Sequence, residues 1–384
     1  LSPHPPPSRS GMEAPPRGPP HPPVPGSEHA VSGEQAAGDA ALHDGPGACA
    51  IMTGARIPVG LDTVVALERT RALDASDDGV ARRIRLLDAV APGQNIRRAG
   101  EDAAVGEVLL TSGTWLEPSH RMLLAAAGVP GVPVVRRPRC VVIATGRELV
   151  ADPRQPLGDG HIYGSNSPYL AVALARAGAE VLACLQVDDV EHACLQALRD
   201  AVAMGADIVI STGAVSMGRY DLMPDTLRRA GAELLFHKVA IRPGKPLLAA
   251  RLPQGPLVRA RPGAPMAAAA GLRFFVAPVL RALQGRPAEP VLRALLGTPP
   301  RPRPGLRHFL RGSFHLHTDG RLRARVLPLQ QPFRMRPFAA ADGWVVLAEH
   351  RSEYLAGAMV EILPLPPEGG YRIRPDDGAE GAGA

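Results

Sequence analysis

The stretch CVVIATGREL (140–149) sets the fold of the middle of the chain. Its first five residues are apolar, and Gly146 follows closely, which predicts a buried strand that ends in a turn. Two further apolar runs, EVLACLQV (180–187) and DIVIST (207–212), come after intervals long enough for a helix. Strands that alternate with helices predict βαβ units and a mostly parallel sheet.

Helical patterns fill the intervals between these strands. They are PYLAVALARAG (168–178), VEHACLQALRDAVAMG (190–205) and LMPDTLRRAG (222–231). Ser165 and Asn166 are candidate caps of the first helix. Beyond the third helix we expect strands at LLFHKVAI (234–241), PLLAARL (246–252) and PLVRA (256–260), and a closing helix at MAAAAGLRFFVAPVL (266–280). That last run contains Arg273 and is too short to span a bilayer.

Short β-like runs predict β-rich modules on either side of this segment. On the N-terminal side they are DTVVALE (62–68), RRIRLLD (82–88) and GEVLL (106–110), with a helical pattern at 118–128. On the C-terminal side, 309–365 predicts an all-β module with an Asp-Gly turn. The fold class we expect is multi-domain α/β, in which a central, mostly parallel sheet domain is flanked by a β-rich domain and a C-terminal all-β, barrel-like domain.

The predicted domain boundaries follow these changes of pattern. Residues 1–40 begin with a Pro-rich stretch and 368–384 end in small and acidic residues, and both compositions predict disorder. Between them we expect four segments: a β-rich second-domain-like module at 41–98, a connecting segment of the first domain at 99–138, the central α/β domain at 139–286 and the β domain at 300–367.

Composition narrows the class of protein. Hydrophobic residues make up 45% of the chain, which is enough for large cores. The four cysteines form no CxxC pair and no Cys/His metal spacing, and no stretch has the layout of a signal peptide, so we expect reduced thiols in a cytoplasmic protein. The net charge is +6, but the arginines are spread along the chain without a basic block or an aromatic platform. We therefore expect neither a nucleic-acid nor a membrane partner.

HKVAIRPGKP (237–246) contains both lysines of the chain, Lys238 and Lys245, whereas the other residues among the 43 Lys+Arg are arginines. Lysine presents a compact point charge and arginine a planar fork. Two lysines around a Pro-Gly turn therefore predict a pocket for a small oxyanion, and chance placement in an Arg-rich composition is the alternative.

The turns after the predicted strands should meet at one edge of the sheet, where ligands of such folds bind. They are ATGREL (144–149), VDDV (187–190), STGAVSMGRYD (211–221), IRPGKP (241–246) and ARPGAP (260–265). Four of the five contain Gly, which allows a backbone to approach a ligand closely. Their hydroxyls, carboxylates and lysines predict an anion or phosphate pocket with a divalent cation. A plain helix cap is the alternative role for Asp221.

Several segments together resemble one family. STGAVSMGRYD followed by HKVAIRPGKP resembles the signature of the molybdopterin molybdenumtransferases, the bacterial relatives of the gephyrin E domain. The resemblance covers roughly 48–366. Its other segments are AIMTGARIPVGLDTVVALE (50–68), IRRAGEDAAVGEVLL (96–110), VVIATGREL (141–149), HIYGSNSPYLAVAL (161–174), LQVDDVEHA (185–193) and FLRGSFHL (309–316). It implies a central domain of the molybdopterin-binding type and a return strand at 96–110.

The resemblance also implies a chemistry. Such proteins are elongated, four-part homodimers that take adenylylated molybdopterin and molybdate, release AMP and leave molybdenum on the pterin dithiolene, with Mg²⁺ as the usual cation. A molybdoenzyme is an implied client. The implied catalytic residues are Lys238, Lys245, Asp221, Glu148 and Asp189, and the implied metal ligands are Asp188, Asp189 and Asp221. The implied cofactor-binding residues are Thr53 and Asp102 from the partner subunit, with Thr145, Asn166, Ser211, Gly213, Ser216, Pro262, Pro265 and Arg311.

This sequence departs from the family pattern at several positions. Arg147, Ala214 and Ala264 stand where the family's TGDEL, GGVS and PGNP have an acid, a glycine and an amide, and Gln331-Pro332 replaces a Gly-Ser. The Pro-rich stretch stands where the family has its DGYA segment. The chain is therefore either a divergent, N-terminally truncated enzyme or a paralogue that carries or chaperones the pterin cofactor without turnover. A nucleic-acid-binding protein is the third class.

Overall fold

The computed structural model describes residues 25–35, 47–74, 82–213, 222–253, 255–261, 263–365 and 368–376. The chain divides into two compact units, Leu1–Pro130 (unit 1) and Gly131–Ala384 (unit 2). Each unit has its own sheets, and each is described by itself below.

Unit 1 is built on a small mixed sheet with the strand order β2–β1–β4–β3. β1 pairs with β2 in parallel, and β1–β4 and β3–β4 are antiparallel. Its elements are β1 Glu28–Gln35, β2 Ala48–Ile51, β3 Thr70–Ala72, β4 Arg83–Leu86 and α1 Pro118–Ala126. Leu86 and Val90 are its buried large apolar side chains among the described residues. The helix α1 has no buried residue, so the core of this unit is small.

Three expectations about unit 1 are wrong. Residues 28–35 form strand β1, although disorder was expected over 1–40. The run 62–68 is not a strand, because it leads into a 3₁₀ turn, and β3 begins only at Thr70. The run 96–110 is a pair of turns rather than a return strand. Its carboxylates close the turns, because Glu101 accepts a hydrogen bond from Arg98 N and Glu107 accepts one from Ala104 N.

Unit 2 begins with a six-stranded sheet in the order β10–β12–β13–β9–β5–β8. The three pairings among β13, β9, β5 and β8 are parallel, and β10 and β12 add an antiparallel end. The elements of this domain are β5 Arg139–Thr145, β6 Leu149–Val150, β7 Ile162–Tyr163, α2 Asn166–Arg176, β8 Glu180–Val187, α3 Glu191–Ala203, β9 Ile208–Thr212, α4 Leu222–Arg229, β10 Glu233–His237, β11 Ile241–Arg242, β12 Leu248–Arg251, β13 Leu257–Arg261, α5 Pro265–Gly271 and α6 Ala277–Leu283.

Helices cover both faces of this sheet, as the βαβ pattern predicts. On one face α3 and α4 pack through Leu198 and Leu227 onto the odd positions of β5 and β9. On the other face α2 and the helix that follows β13 pack through Leu174 and Leu280 onto the even positions. The mostly parallel α/β central domain expected from the sequence is confirmed.

The helix that follows β13 runs without a break from Pro265 to Leu283, through a π-helical turn at Leu272–Val276. It is 19 residues long and apolar enough to cross a membrane by length and composition, so the expectation that the run is too short is wrong. Most of its apolar side chains lie in the core, where Met266, Leu272 and Leu280 are buried. Even Arg273 is buried, where its guanidinium pairs with Glu289 at 2.7 Å.

The C-terminal part of unit 2 is a closed barrel of five strands. β15 pairs with both β16 and β17, which closes the order β15–β16–β14–β18–β17. Its elements are β14 Leu292–Leu296, β15 Arg307–Leu316, β16 Leu322–Val326, α7 Arg336–Ala340, β17 Gly343–Leu347, β18 Met359–Pro364 and β19 Arg374–Pro375. The expected all-β, barrel-like domain is therefore confirmed.

Two additions to the barrel correct the sequence predictions. The run 234–241 is not one strand, because β10 ends at His237 and β11 leaves the central sheet to pair with β15 of the barrel. Disorder was expected over 368–384, but β19 also pairs with β15, and the buried side chain of Asp376 forms an ion pair with the half-buried Arg325 at 2.7 Å.

Candidate functional site

The register of the central sheet brings the predicted site segments to one edge. One row of paired residues crosses all six strands, and it consists of His237, Leu248, Ala260, Ser211, Ile143 and Leu185. The turns beyond this row follow β10, β13, β9, β5 and β8. At about 4.8 Å per strand spacing, the edge is about 24 Å long. A ligand that touches both ends must therefore be extended.

At the centre of this edge the loops after β5, β9 and β13 lie in direct contact. Gly213 has φ +94, and a Cβ atom there would lie 2.4 Å from the carbonyl oxygen and hydroxyl of Thr145. Gly263 is the next neighbour, since a Cβ on it would lie 3.9 Å from Gly213 Cα. Asn166, the first residue of α2, donates its amide to the Gly263 carbonyl at 2.8 Å. The structure thus brings together Thr145, Asn166 and Gly213, three predicted cofactor-binding residues.

Ser211 lies in the same row, on β9. Its side chain is fully buried, and its Oγ has no hydrogen-bond partner among the described residues. Buried polar groups nearly always have a partner, and exceptions are found at functional sites. Its hydroxyl is therefore a donor without a partner in the described part of the chain, at the sheet edge where the sequence predicts a ligand.

The two lysines belong to one closed turn at the β10/β12 end of the edge. Lys238 N donates to Leu247 O, and Val239 N donates to Lys245 O, both at 2.9 Å. β11 inside this turn is braced by the barrel, where Arg307 N donates to Ala240 O. Lys238 has φ +69, which is unusual for a residue with a side chain. Both lysine side chains are exposed, so a braced and locally strained turn presents two ammonium groups to solvent.

Carboxylates occupy the opposite end of the edge, where β5 and β8 finish side by side. Gly146 N donates to Val187 O at 3.1 Å, and a Cβ atom on Gly146 would lie 2.7 Å from both carboxylate oxygens of Glu148. Asp188 and Asp189 follow β8 directly, and all three carboxylates are exposed. Burial, and then the charge of Asp189, raise the pKa of the Cys194 thiol to about 11.

These carboxylates have the oxygen chemistry that Mg²⁺ prefers. However, the described residues contain no group of three or more His, Cys, Asp or Glu side chains placed to hold an ion. Asp221, the third predicted ligand, lies outside the described residues, as do Ser216 and Pro262. The assignment of a magnesium site therefore stays a prediction.

Arg311 lies in the barrel wall and is only 2% exposed. Its guanidinium donates to Leu329 O at 2.9 Å, to Arg334 O at 2.8 Å and to the Gln330 side chain at 3.1 Å. The resemblance implies an arginine that faces an oxyanion beside the lysines. In the structure these donors instead hold the loop 327–335, and burial lowers the pKa of the guanidinium.

The loop 327–335 reaches the central domain at the start of α5. Pro265 is the first residue of that helix, and the amide of Met266 donates to Pro332 O at 3.0 Å. Gln330 also holds this loop against the barrel strand β15, since its side-chain amide donates to Leu327 O and Arg311 O. Sequence reasoning missed Gln330, because nothing in QQPF indicates that its side chain points inward.

Thr53 and Asp102 lie in unit 1. Both side chains are exposed and belong to turns rather than to regular elements. Their expected place beside a partner's pocket stays a prediction.

Comparison with known proteins identifies the family. Three family profiles match in chain order: the MoeA N-terminal region (domain I and II) at 18–128, the probable molybdopterin binding domain at 141–282 and the MoeA C-terminal region (domain IV) at 293–365. The molybdopterin molybdenumtransferase of Synechococcus elongatus is 36% identical over 320 residues, which are 83% of this chain and 76% of that protein. The chain belongs to the molybdopterin molybdenumtransferase family.

Two further members of this family and one solved structure are also similar to this chain. The molybdopterin molybdenumtransferase of Bacillus subtilis is 35% identical over 83% of this chain and 73% of its own length. Molybdopterin molybdenumtransferase 2 of Mycobacterium tuberculosis is 37% identical over 82% of this chain and 76% of its own. A solved structure of a molybdopterin biosynthesis MoeA protein from Pyrococcus horikoshii has a TM-score of 0.66 at 27% identity, and covers 87% of this chain and 80% of that one.

These findings confirm the resemblance drawn from the sequence. The molybdopterin molybdenumtransferases are enzymes of molybdenum cofactor biosynthesis, so the chain is placed among them. The site described above lies within the matched molybdopterin-binding segment, and the loop 327–335 lies within the matched domain IV.

Proposed function

We propose that the chain inserts molybdate into adenylylated molybdopterin and releases AMP. The observation that carries this proposal is the layout of the edge, with two lysines at one end, carboxylates at the other and Gly-lined loops between. An adenylylated pterin is an extended molecule with a flat ring at each end and phosphates in the middle. Such a ligand suits an edge about 24 Å long better than a single small ion does.

In this proposal the lysine turn meets oxyanions. Lys238 and Lys245 stabilise negative charge on molybdate or on phosphate as the bond to AMP breaks, and their braced turn needs little reorganisation. Thr145, Ser211 and Asn166 orient the pterin nucleotide through hydroxyl and amide groups, and Gly213 lets the backbone approach it. The proposal also assigns cofactor binding to Pro265 at the start of α5, and to Ser216 and Pro262, which lie outside the described residues.

A divalent cation, Mg²⁺, is proposed at the acidic end. Asp188, Asp189 and Asp221 would hold it, with Glu148 beside them. When bound, it would neutralise phosphate charge and orient the leaving group. Arg311 supports the site through the loop 327–335, which its guanidinium holds by hydrogen bonds to Leu329 O and Arg334 O.

A homodimer is proposed as the active form. The described part of unit 1 leaves large apolar side chains exposed, including Val105 at 92%, Val108 at 73% and Met122 at 73%. Contiguous exposed apolar surface marks protein–protein interaction sites, and the proposed homodimer would cover these side chains. In a homodimer, Thr53 and Asp102 would complete the pocket of the partner subunit. None of the four cysteines, all of which lie in the described part of the chain, forms a disulfide, which suits the cytoplasmic location that we also propose.

The decisive experiment measures AMP release from adenylylated molybdopterin by the purified chain, with and without molybdate and Mg²⁺. AMP release that requires both supports the proposed reaction. Pterin binding without AMP release would overturn it and would favour the cofactor-carrier alternative, which no comparison supports. The shared site is tested by mixing Lys245→Ala with Asp102→Ala protein. If sites are shared, mixed dimers regain one intact site, and about a quarter of wild-type activity returns.

A further inference from the structure

Phe333 is the exposed member of the seven phenylalanines, all of which lie in the described part of the chain. Its side chain is 62% exposed, whereas the other six are buried or half-buried in the cores. The guanidinium of its neighbour Arg334 lies 5.3 Å from the centre of its ring. The structure thus presents an aromatic ring with a cation beside it to solvent.

The backbone that carries this ring is fixed on both sides. Arg311 donates to Leu329 O and to Arg334 O, which brace the loop before and after Phe333. Pro332 O accepts the amide of Met266 at 3.0 Å. An exposed aromatic side chain on a mobile loop would need no explanation, but this loop is tied down by buried donors.

The same bonds tie the loop that carries the ring to the start of α5, next to the candidate site. Met266 is the second residue of α5, and α5 follows Gly263, whose carbonyl binds Asn166. Phe333 is therefore connected by a short series of hydrogen-bonded neighbours to the central loops of the sheet edge.

We propose that Phe333, with Arg334, is a stacking platform for a planar heteroaromatic ring attached to a phosphate in the bound substrate. This inference rests on the proposed function, which supplies two such rings, adenine and pterin. An aromatic face stacks on either ring without reading its edge, and the nearby cation favours a ligand that carries negative charge. In this proposal the platform recognises the ring of the ligand, and the lysine turn recognises its anionic group.

The test measures direct binding of three ligands, which are AMP, a 6-substituted pterin phosphate and ribose 5-phosphate. Loss of base stacking on an aromatic side chain typically weakens binding by a factor of about 5 to 150, so Phe333→Ala should weaken the binding of at least one ring ligand by about that factor. Ribose 5-phosphate lacks the ring, and its binding should not change. Whichever ring ligand is weakened identifies the ring that stacks.

Two further variants sharpen the result. Met335→Ala removes another exposed apolar side chain, 49% exposed on the same loop, and should leave all three affinities unchanged. Phe333→Trp should keep ring binding, and its fluorescence should be quenched by the ring ligand and not by ribose 5-phosphate. In turnover, Phe333→Ala should raise KM more than it lowers kcat.

Equal binding of both ring ligands by wild type and Phe333→Ala would overturn the platform. An equal loss of ribose 5-phosphate would also overturn it, because the effect would then act through the phosphate, and so would a wild type that binds neither ring ligand. The proposed reaction fails separately. If AMP is never released but ring binding depends on Phe333, the reaction is wrong and the platform stands.

Discussion

Gly213 touches Thr145 so closely that no side chain fits between them. A Cβ atom at 213 would lie 2.4 Å from the carbonyl oxygen of Thr145 and from its hydroxyl. This contact joins the ends of β9 and β5 at the centre of the binding edge. The backbone of Gly213 also has φ +94, a conformation that disfavours any residue with a Cβ.

We expect Gly213→Ala to lower the free energy of unfolding by more than about 3 kcal/mol, from overpacking and backbone strain together. Gly285→Ala is the matched control, since Gly285 has φ +69 but nothing within 4 Å of its Cβ position, and only the strain of about 1–2 kcal/mol applies there. Urea unfolding of both variants measures the difference. Equal losses would show that the loops separate easily, and that the contact does not define the site.

The elements that the sequence predicted correctly are those fixed by local pattern. β5 and β9 are apolar runs bounded by Gly146 and Gly213, so the strand and the turn after it are both visible in the sequence. The break of 234–241 at Lys238 was not predictable in this way. It depends on β11 pairing with β15, a partner more than sixty residues away, and on a positive φ that Lys rarely adopts.

The candidate site likewise has features that local sequence predicts and features that depend on distant contacts. The lysine pair and the Gly-containing turns are local patterns, and the structure places them at one edge. The burial of Arg311 could not be predicted, because its acceptors are carbonyl groups in a loop about twenty residues further on. The side chain alone looks like an anion ligand, and only the packing of the barrel assigns its donors to the loop.

Lys245→Ala should weaken binding of molybdate or AMP about 10- to 100-fold, because loss of a charge-assisted contact costs about 1.5–3 kcal/mol. Arg251→Ala is the control, since Arg251 is an exposed cation at the end of β12, and its loss should cost under about 0.5 kcal/mol. Calorimetric titration of both variants tests the ranking. Equal losses would mean that the lysines act only through net charge.

Arg311→Ala should destabilise the protein by about 3 kcal/mol or more, because it removes three hydrogen bonds that a buried, charged guanidinium donates to the loop. Arg307→Ala, four residues earlier on the same strand, should cost under about 1 kcal/mol, because its pair with Glu349 is exposed. Thermal unfolding measures both. If Arg311→Ala is as stable as wild type but no longer binds molybdate, this prediction is wrong and Arg311 binds the anion directly.

His308 should make stability depend on pH. Burial lowers its pKa below 6.5 against an opposing hydrogen bond to Arg303, and the charge of Arg242 lowers it further. As the pH falls through about 6.5, His308 therefore binds a proton in the unfolded state before it does so in the folded state. The folded state loses stability on acidification for this reason. Urea unfolding at about pH 5.5 and about pH 7.5 should show a smaller pH effect in His308→Gln than in wild type. Exposed His192→Gln should keep the wild-type difference.

Ala264 stands at the N-cap of α5 with extended backbone angles and no capping side chain. Ala264→Asn and Ala264→Ser both supply a side-chain oxygen there, so both should raise the free energy of unfolding by up to about 1 kcal/mol. Only asparagine also adds an amide donor beside Gly263, at the binding edge. If the pocket uses that amide, Ala264→Asn should raise AMP release or tighten AMP binding, and Ala264→Ser should match wild type in both. An equal gain in the two variants would assign the effect to the helix cap alone, and a gain in stability without any change in AMP binding would place position 264 outside the ligand's reach.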